Sequence, residues 1–251
     1  MRTALLAIAA LLPLALPHRA AAQAAPPERP SFDLTLYGWL QSLDGRVGAG
    51  PLTASVESSF SNTIDKADTV VPFMGRAEGR AGRFGLFVDA AYVSLGFDNV
   101  SVGPFAARAD SSLLVVDFGG TAEVAAGRDG LWALDALAGG RVTSIRNEIG
   151  LIGGPSVSQR ASWFEPFVGM RLRGRFAERW EYAVQADIGG FGVGSDFAWQ
   201  ALATVGYRFS LLGADATALV GYRALSQDYT DGRFRWDMTL YGPVLGVTLR
   251  F

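Results

Sequence analysis

From residue 31 onward the chain is written in period-2 alternation, and no stretch after Gln23 comes near the roughly 18 to 20 consecutive apolar residues that a membrane-crossing helix needs. Alternation commits a chain to strands with one apolar and one polar face. Ten such segments, rich in Val, Leu, Phe, Tyr and Trp, are predicted at about 31–43, 70–80, 84–97, 108–126, 131–146, 160–176, 181–189, 197–209, 214–225 and 233–251. Their connections alternate too. Ala81–Arg83, Gly127–Gly130, Ala177–Trp180 and Ser210–Gly213 are tight turns, whereas 44–69, 98–107, 147–159, 190–196 and 226–232 are longer loops.

The faces sort along individual strands. Phe164, Val168, Met170, Leu172 and Phe176 alternate with Glu165, Arg171, Arg173 and Arg175; Leu114, Val116, Phe118 and Val124 alternate with Asp117, Thr121 and Glu123. A soluble barrel would turn the apolar row inward and a membrane barrel would turn it to lipid. Three features favour lipid. Aromatics gather at strand ends, with Phe84, Trp132, Phe176, Trp180, Tyr207, Phe209 and Phe251 toward the turns and Trp39, Phe97, Trp163, Phe197, Trp199, Phe234 and Trp236 toward the loops, as two interfacial girdles require. The apolar rows carry many Ala and Gly, which fill a soluble core poorly. A closed sheet also leaves no edge for lipid to meet. The expected fold is therefore all-β, a closed antiparallel up-and-down transmembrane β-barrel of about ten strands, with eight or twelve as the alternatives.

Both ends of the chain agree with that fold. Residues Ala4 to Leu16 are an apolar run, and Ala20, Ala21 and Ala22 offer a small-residue cleavage site before Gln23, so 1–22 reads as a signal peptide, 23–30 as a Pro-rich periplasmic tether and 31–251 as the barrel. The expected location is the outer membrane of a Gram-negative cell, after cleavage near Ala22. Phe251 closes an alternating run with Leu245, Val247 and Leu249. An even strand count puts it on the same side as the amino terminus.

Composition excludes several kinds of chemistry. Of 22 basic and 24 acidic residues, Arg2 and Arg19 leave with the leader, so the remainder is mildly acidic and suits no nucleic acid. Cysteine is absent, and the one histidine, His18, lies inside the leader. Without imidazole or thiolate there is no Ser-His-Asp or Cys-His nucleophile system and no zinc site built on such ligands. No catalytic, cofactor-binding or metal-binding residue is expected, and no cofactor.

Alternation assigns the lumen. Arg76, Arg80, Arg141, Arg171, Arg173, Arg175, Arg208, Arg223 and Arg235 are expected inside with Glu78, Asp89, Asp117, Glu123, Asp135, Glu165, Asp187, Asp215 and Asp237. Ten strands enclose little more than their own side chains, so these charges should interlock. One reading makes them a narrow or gated ion path with Arg171, Arg173 and Arg175 as a basic ladder; the other, favoured, makes them the internal pairing that a small polar barrel needs. Two local features complete the picture. Gly45–Gly50 and Thr53–Glu57 can pair as a hairpin, followed by helical turns over Ser61–Asp68. The apolar parity of Trp236, Met238 and Leu240 disagrees with that of Leu245, Val247 and Leu249, which predicts a β-bulge near Tyr241, Gly242 and Pro243.

The chain resembles small outer-membrane barrels of the OmpA, OmpX and OmpW type. Its stretch Leu36-Tyr37-Gly38-Trp39-Leu40 followed by Asp44-Gly45 is similar to a group of largely uncharacterised proteobacterial outer-membrane proteins. Outer-membrane lipid and lipopolysaccharide are the partners this implies, with the barrel assembly machinery reading an insertion signal in Gly246, Leu249 and Phe251. Leu245 stands where that signal usually has a polar residue. The resemblance implies a non-enzymatic protein, since the outer-membrane enzymes of this size rely on histidine. The expected role is structural, or a narrow or gated passage for small solutes or ions. The alternative is a surface-exposed binding or adhesion protein that acts through its external loops.

Overall fold

The structure, a computed structural model, describes residues 30–251 apart from 50–51, 61–66, 103–104, 152–153, 155, 212 and 233. The leader, its cleavage site, residues 23–29 of the tether and most of the helical stretch expected over Ser61–Asp68 lie outside the described residues.

Twelve strands follow in order: β1 (Ser31–Trp39), β2 (Ser42–Ala49), β3 (Leu52–Ser58), β4 (Thr69–Ala81), β5 (Phe84–Val102), β6 (Phe105–Ala126), β7 (Trp132–Leu151), β8 (Ser156–Arg175), β9 (Trp180–Gly189), β10 (Phe197–Leu211), β11 (Ala214–Asp231) and β12 (Phe234–Arg250). Ten of them, β1 and β4 to β12, form an antiparallel up-and-down ring that closes where β12 pairs β1. The closure carries the chain ends. Phe251 N–H donates to the Phe32 carbonyl at 2.9 Å, Phe32 N–H returns the bond at 3.1 Å, and the two rings lie 6.3 Å apart.

The hairpin expected in the first long loop exists as β2 and β3, and it joins the wall. Its first strand pairs the upper part of β12, from Ser42 opposite Tyr241 to Ala49 opposite Phe234, while β1 pairs the lower part. Above the pair of Leu36 with Gly75, β1 and β4 part. Pro72, which has no N–H to give a neighbour, sits on the freed edge of β4, and among the described residues no ladder joins β3 to β4. Most of the other loop-side segments prove to be strand: β5 to β8 and β11 run well beyond the apolar band on both sides of their hairpins.

Those extensions explain the fold's main departure from expectation. On β6 the outward face runs Val124, Phe118, Val116 and Leu114 and then turns polar at Ser112 and Asp110, while the inward face runs Glu123, Thr121 and Asp117 and then turns apolar at Val115 and Leu113. The eleven residues from Val124 to Leu114 span roughly 25 Å of height at a rise of about 3.4 Å and a tilt of about 40°, which is the hydrocarbon band of an outer membrane. Above that band the strands stand in water, so the alternation inverts and the barrel acquires a soluble-type core. Ser144 with Ser162 (2.8 Å) and Ser226 with Thr239 (3.0 Å) exchange hydroxyl bonds across neighbouring strands just above it.

The inversion overturns three expectations. The predicted bulge is absent: β11 and β12 keep one unbroken register from Asp215–Arg250 to Asp231–Phe234, with Arg223 opposite Gly242. Trp236, Met238 and Leu240 are buried inside, so the parity of β12 never changes and only its surroundings do. By the same count Arg235 and Asp237, expected in the lumen, face outward above the membrane with side chains 48% and 41% exposed. Likewise Trp39, Trp163 and Trp236 form no outer girdle, because they are core residues. The turn-side girdle stands: Phe84, Trp132, Phe176, Trp180, Tyr207 and Phe251 are all exposed.

Gly242 owes its place to a different cause. Its φ of +157° is a region essentially closed to side chains, and a Cβ there would collide with the Leu40 carbonyl, where β1 stops before β2 takes over beside β12. A true bulge does occur at Val124, the extra residue between the Glu123–Asp135 and Ala125–Leu134 pairs.

The inversion is testable because the chain has no cysteine of its own. With membrane-impermeant maleimide on intact cells, Asp237→Cys is expected to label fully and Met238→Cys to stay unlabelled until the barrel is denatured. The opposite pattern would restore the bulge.

Candidate functional site

The lumen is built in tiers. Its middle tier centres on Arg141 of β7, whose side chain is fully buried. The guanidinium donates from Nε to Asp117 (2.7 Å), from Nη1 to Glu165 (3.1 Å) and from Nη2 to Asp187 (2.9 Å), reaching β6, β8 and β9 at once. Three carboxylates around one planar cation engage each of its three nitrogens. Arg223 of β11 plays the matching part across the barrel. It donates to Asp89 (3.1 Å), Asp117 (3.2 Å), the Tyr37 hydroxyl (2.9 Å) and the Gln200 amide oxygen (2.6 Å). The Tyr37 hydroxyl in turn donates to Asp89 at 2.6 Å.

Neutral side chains complete the tier. Gln200 Nε2 donates to Asp117 and Asp187 at 3.1 and 3.2 Å, and Gln227 Nε2 to Glu165 and Thr143 at 3.1 and 2.9 Å. Ser195 Oγ donates to Glu165. That serine comes from the 190–196 connection, which folds inward because Gly194 takes φ +73° where a Cβ would collide with the Phe164 carbonyl. Bonds therefore link β1, β5, β6, β7, β8, β9, β10 and β11 at one level. A disc of paired charge crosses the bore.

Below it, toward the turns, a second network runs between β4 and β8. Arg171 grips Glu78 with two bonds of 2.7 Å and Asp135 with two of 3.0 and 3.2 Å; Arg80 takes Asp135 at 3.1 Å; Arg173 bridges Asp135 (3.0 Å) and Glu123 (2.8 Å). Arg76 donates to Glu78 at 2.9 Å and lies over the Phe87 ring. Above the disc, the soluble-type core closes the bore with Trp39, Leu113, Val115, Ile145, Leu225 and Trp236, and with Trp163 stacked on Tyr229 at 4.2 Å.

Of the residues expected in the lumen, the structure brings Asp89, Asp117, Arg141, Glu165, Asp187 and Arg223 into the disc, and Arg76, Glu78, Arg80, Glu123, Asp135, Arg171 and Arg173 into the lower network. Arg175 and Arg208 border the lumen near its mouth, and Asp215 stands exposed at the turn-side rim. Arg235 and Asp237 lie outside. Alternation overlooked Tyr37, Gln200, Gln227 and Ser195, whose role is hydrogen bonding rather than charge. It also overlooked Asp33 and Arg250, paired at 3.1 Å, although Arg250 is the inward neighbour of Phe251. Among the described residues no cluster of His, Cys, Asp and Glu is placed to hold a metal.

A closed ring of ten strands, apolar outside over one membrane thickness and filled with paired charge, defines an outer-membrane β-barrel protein of the Gram-negative type. No family model matches the sequence, and no curated protein matches it. Solved structures match over most of the chain at low identity. Ail, the attachment invasion locus protein of Yersinia pestis in complex with the heparin analogue sucrose octasulfate, matches with a TM-score of 0.38 and 14% identity over 88% of this chain and 98% of that one. The outer membrane protease OmpT from Escherichia coli matches with a TM-score of 0.49 and 8% identity over 91% and 99%.

Proposed function

We propose that this protein is a non-enzymatic outer-membrane barrel whose lumen seals rather than conducts. The observation that carries this is Arg141: a fully buried cation tied to three strands' carboxylates, within a disc that reaches eight of the ten ring strands and lies beneath a packed aromatic core. Of the two roles weighed from sequence, structural support and a narrow passage, the geometry favours the first. Passage would require the disc and the aromatic tier to part together, which exposes buried charge and breaks a packed core. In this reading the leader is removed near Ala22, and the assembly machinery reads Gly246, Leu249 and Phe251. Purified barrel in planar lipid bilayers is expected to give no stepwise current; unitary conductance from the wild-type protein would overturn the seal.

The surface-binding reading draws on a separate observation. The strands rise past the hydrocarbon band as a polar-faced wall, with Arg146, Arg160, Asp228, Arg235 and Asp237 directed outward. That wall is a surface for contact with molecules outside the cell.

A further inference from the structure

On the turn side of the disc the lumen is not filled. A cavity of about 800 Å³ opens there, bordered by the ends of β1 and β12 and by the turns at Gly82 and Gly127–Gly130. Its wall is unbalanced. Among the described residues nine arginines border it against five carboxylates; Asp135, held just behind the wall by Arg80, Arg171 and Arg173, Asp117, paired to Arg223, and Asp215 at the rim raise the acids to eight.

The surplus lies toward the mouth. Exposed Arg175 and Arg128 meet no carboxylate among the described residues, and Arg208 reaches Glu181 only at 3.9 Å, sharing it with Arg250 at 3.8 Å. Side-chain exposure climbs from 0% at Arg141 in the disc to 34% at Arg208 and 37% at Arg173. Arg175 and Arg208 meet no carboxylate nearer than 3.9 Å among the described residues, so their donors are open to a ligand. A concave site with low-dielectric walls focuses their field, and the planar fork fits carboxylate and phosphate oxygens in pairs. The disc roofs the cavity, so whatever enters must leave by the same mouth.

We propose that this vestibule is a binding site for a small polyanion bearing two or more carboxylate or phosphate groups. It is entered from the turn side, which faces the periplasm in outer-membrane barrels, and Arg175 and Arg208 hold the ligand. The proposal rests on the sealed-lumen reading for its roof, but the two fail separately: current through the barrel would remove the roof, and absence of binding would remove the site. Because the mouth lies at the inner leaflet, the same phosphate chemistry is available from a soluble anion or from a lipid headgroup.

Isothermal titration calorimetry of the folded full chain in uncharged detergent at low ionic strength, with pyrophosphate and with citrate as probes, tests the site. One saturable site is expected, weakened by salt. The Arg175→Gln/Arg208→Gln double variant should lose about tenfold or more in affinity, whereas Arg108→Gln, at the opposite end of the barrel, should lose none. Neither arginine of the double variant belongs to the tight networks, so folding, read by heat-modifiable migration, should persist. Weaker pyrophosphate binding in phosphatidylglycerol nanodiscs than in phosphatidylcholine nanodiscs would support the site with a lipid headgroup as occupant; equal binding would support a soluble anion. No saturable binding in any medium, or binding unchanged in the double variant, overturns the proposal.

Discussion

Arg141→Ala is expected to cost about 3–5 kcal/mol of folding stability, because it strands Asp117, Glu165 and Asp187 in a buried tier without their shared cation. Urea unfolding from lipid vesicles, followed by tryptophan fluorescence, measures the loss. Arg141→Lys should fall between wild type and alanine, since a single ammonium keeps the charge but not the three-way fork. Adding Asp117→Asn, Glu165→Gln and Asp187→Asn to Arg141→Ala should recover part of the deficit, because neutral amides cost less to bury than unpaired carboxylates. An unchanged urea midpoint in Arg141→Ala would mean that the disc is not what holds the lumen together.

The second large effect lies on the outside. Val168 and Ser162 stand on the same outward face of β8, six residues apart, with Val168 inside the apolar band and Ser162 above it. Val168→Arg is expected to destabilise the barrel by about 2–4 kcal/mol, the cost of arginine near the bilayer midplane. Ser162→Arg should change stability by roughly 0.5 kcal/mol or less, as an ordinary surface substitution does. The same unfolding assay decides. Equal penalties at both positions would place the membrane boundary higher than the inversion of polarity does.

Much of this architecture is legible in the sequence. Turn positions, strand order and the closing pair of terminal strands follow from period-2 alternation and loop length, since both are local properties of the chain. The lower lumen was legible for the same reason: Arg171, Asp135 and Glu123 alternate with residues that need lipid. What misled was a single assumption, that apolar means outward at every height. It moved Trp39, Trp163 and Trp236 to the wrong side of the wall, put Arg235 and Asp237 inside, and called for a bulge at Gly242 to mend a parity that was never broken. A strand carries no local mark of where lipid ends and water begins. The pairing of Ser226 with Thr239 or Ser144 with Ser162 becomes visible only when the strands are set side by side. The vestibule was hidden for a related reason: its excess of cations depends on which carboxylates the neighbours have already claimed.

The tier of Trp163, Tyr229, Trp236 and Met238 has a consequence for whatever meets this protein from outside the cell. External segments of a barrel ordinarily have to be ordered by the partner that grips them, and that ordering is subtracted from affinity. Here the emergent wall is already pinned by its own core and by ladders from β5 to β8, with one register shift between Phe97 and Val100, and from β11 to β12. A macromolecule that meets the described part of this wall would find strands already paired and packed, and recognition there becomes a question of matching shapes.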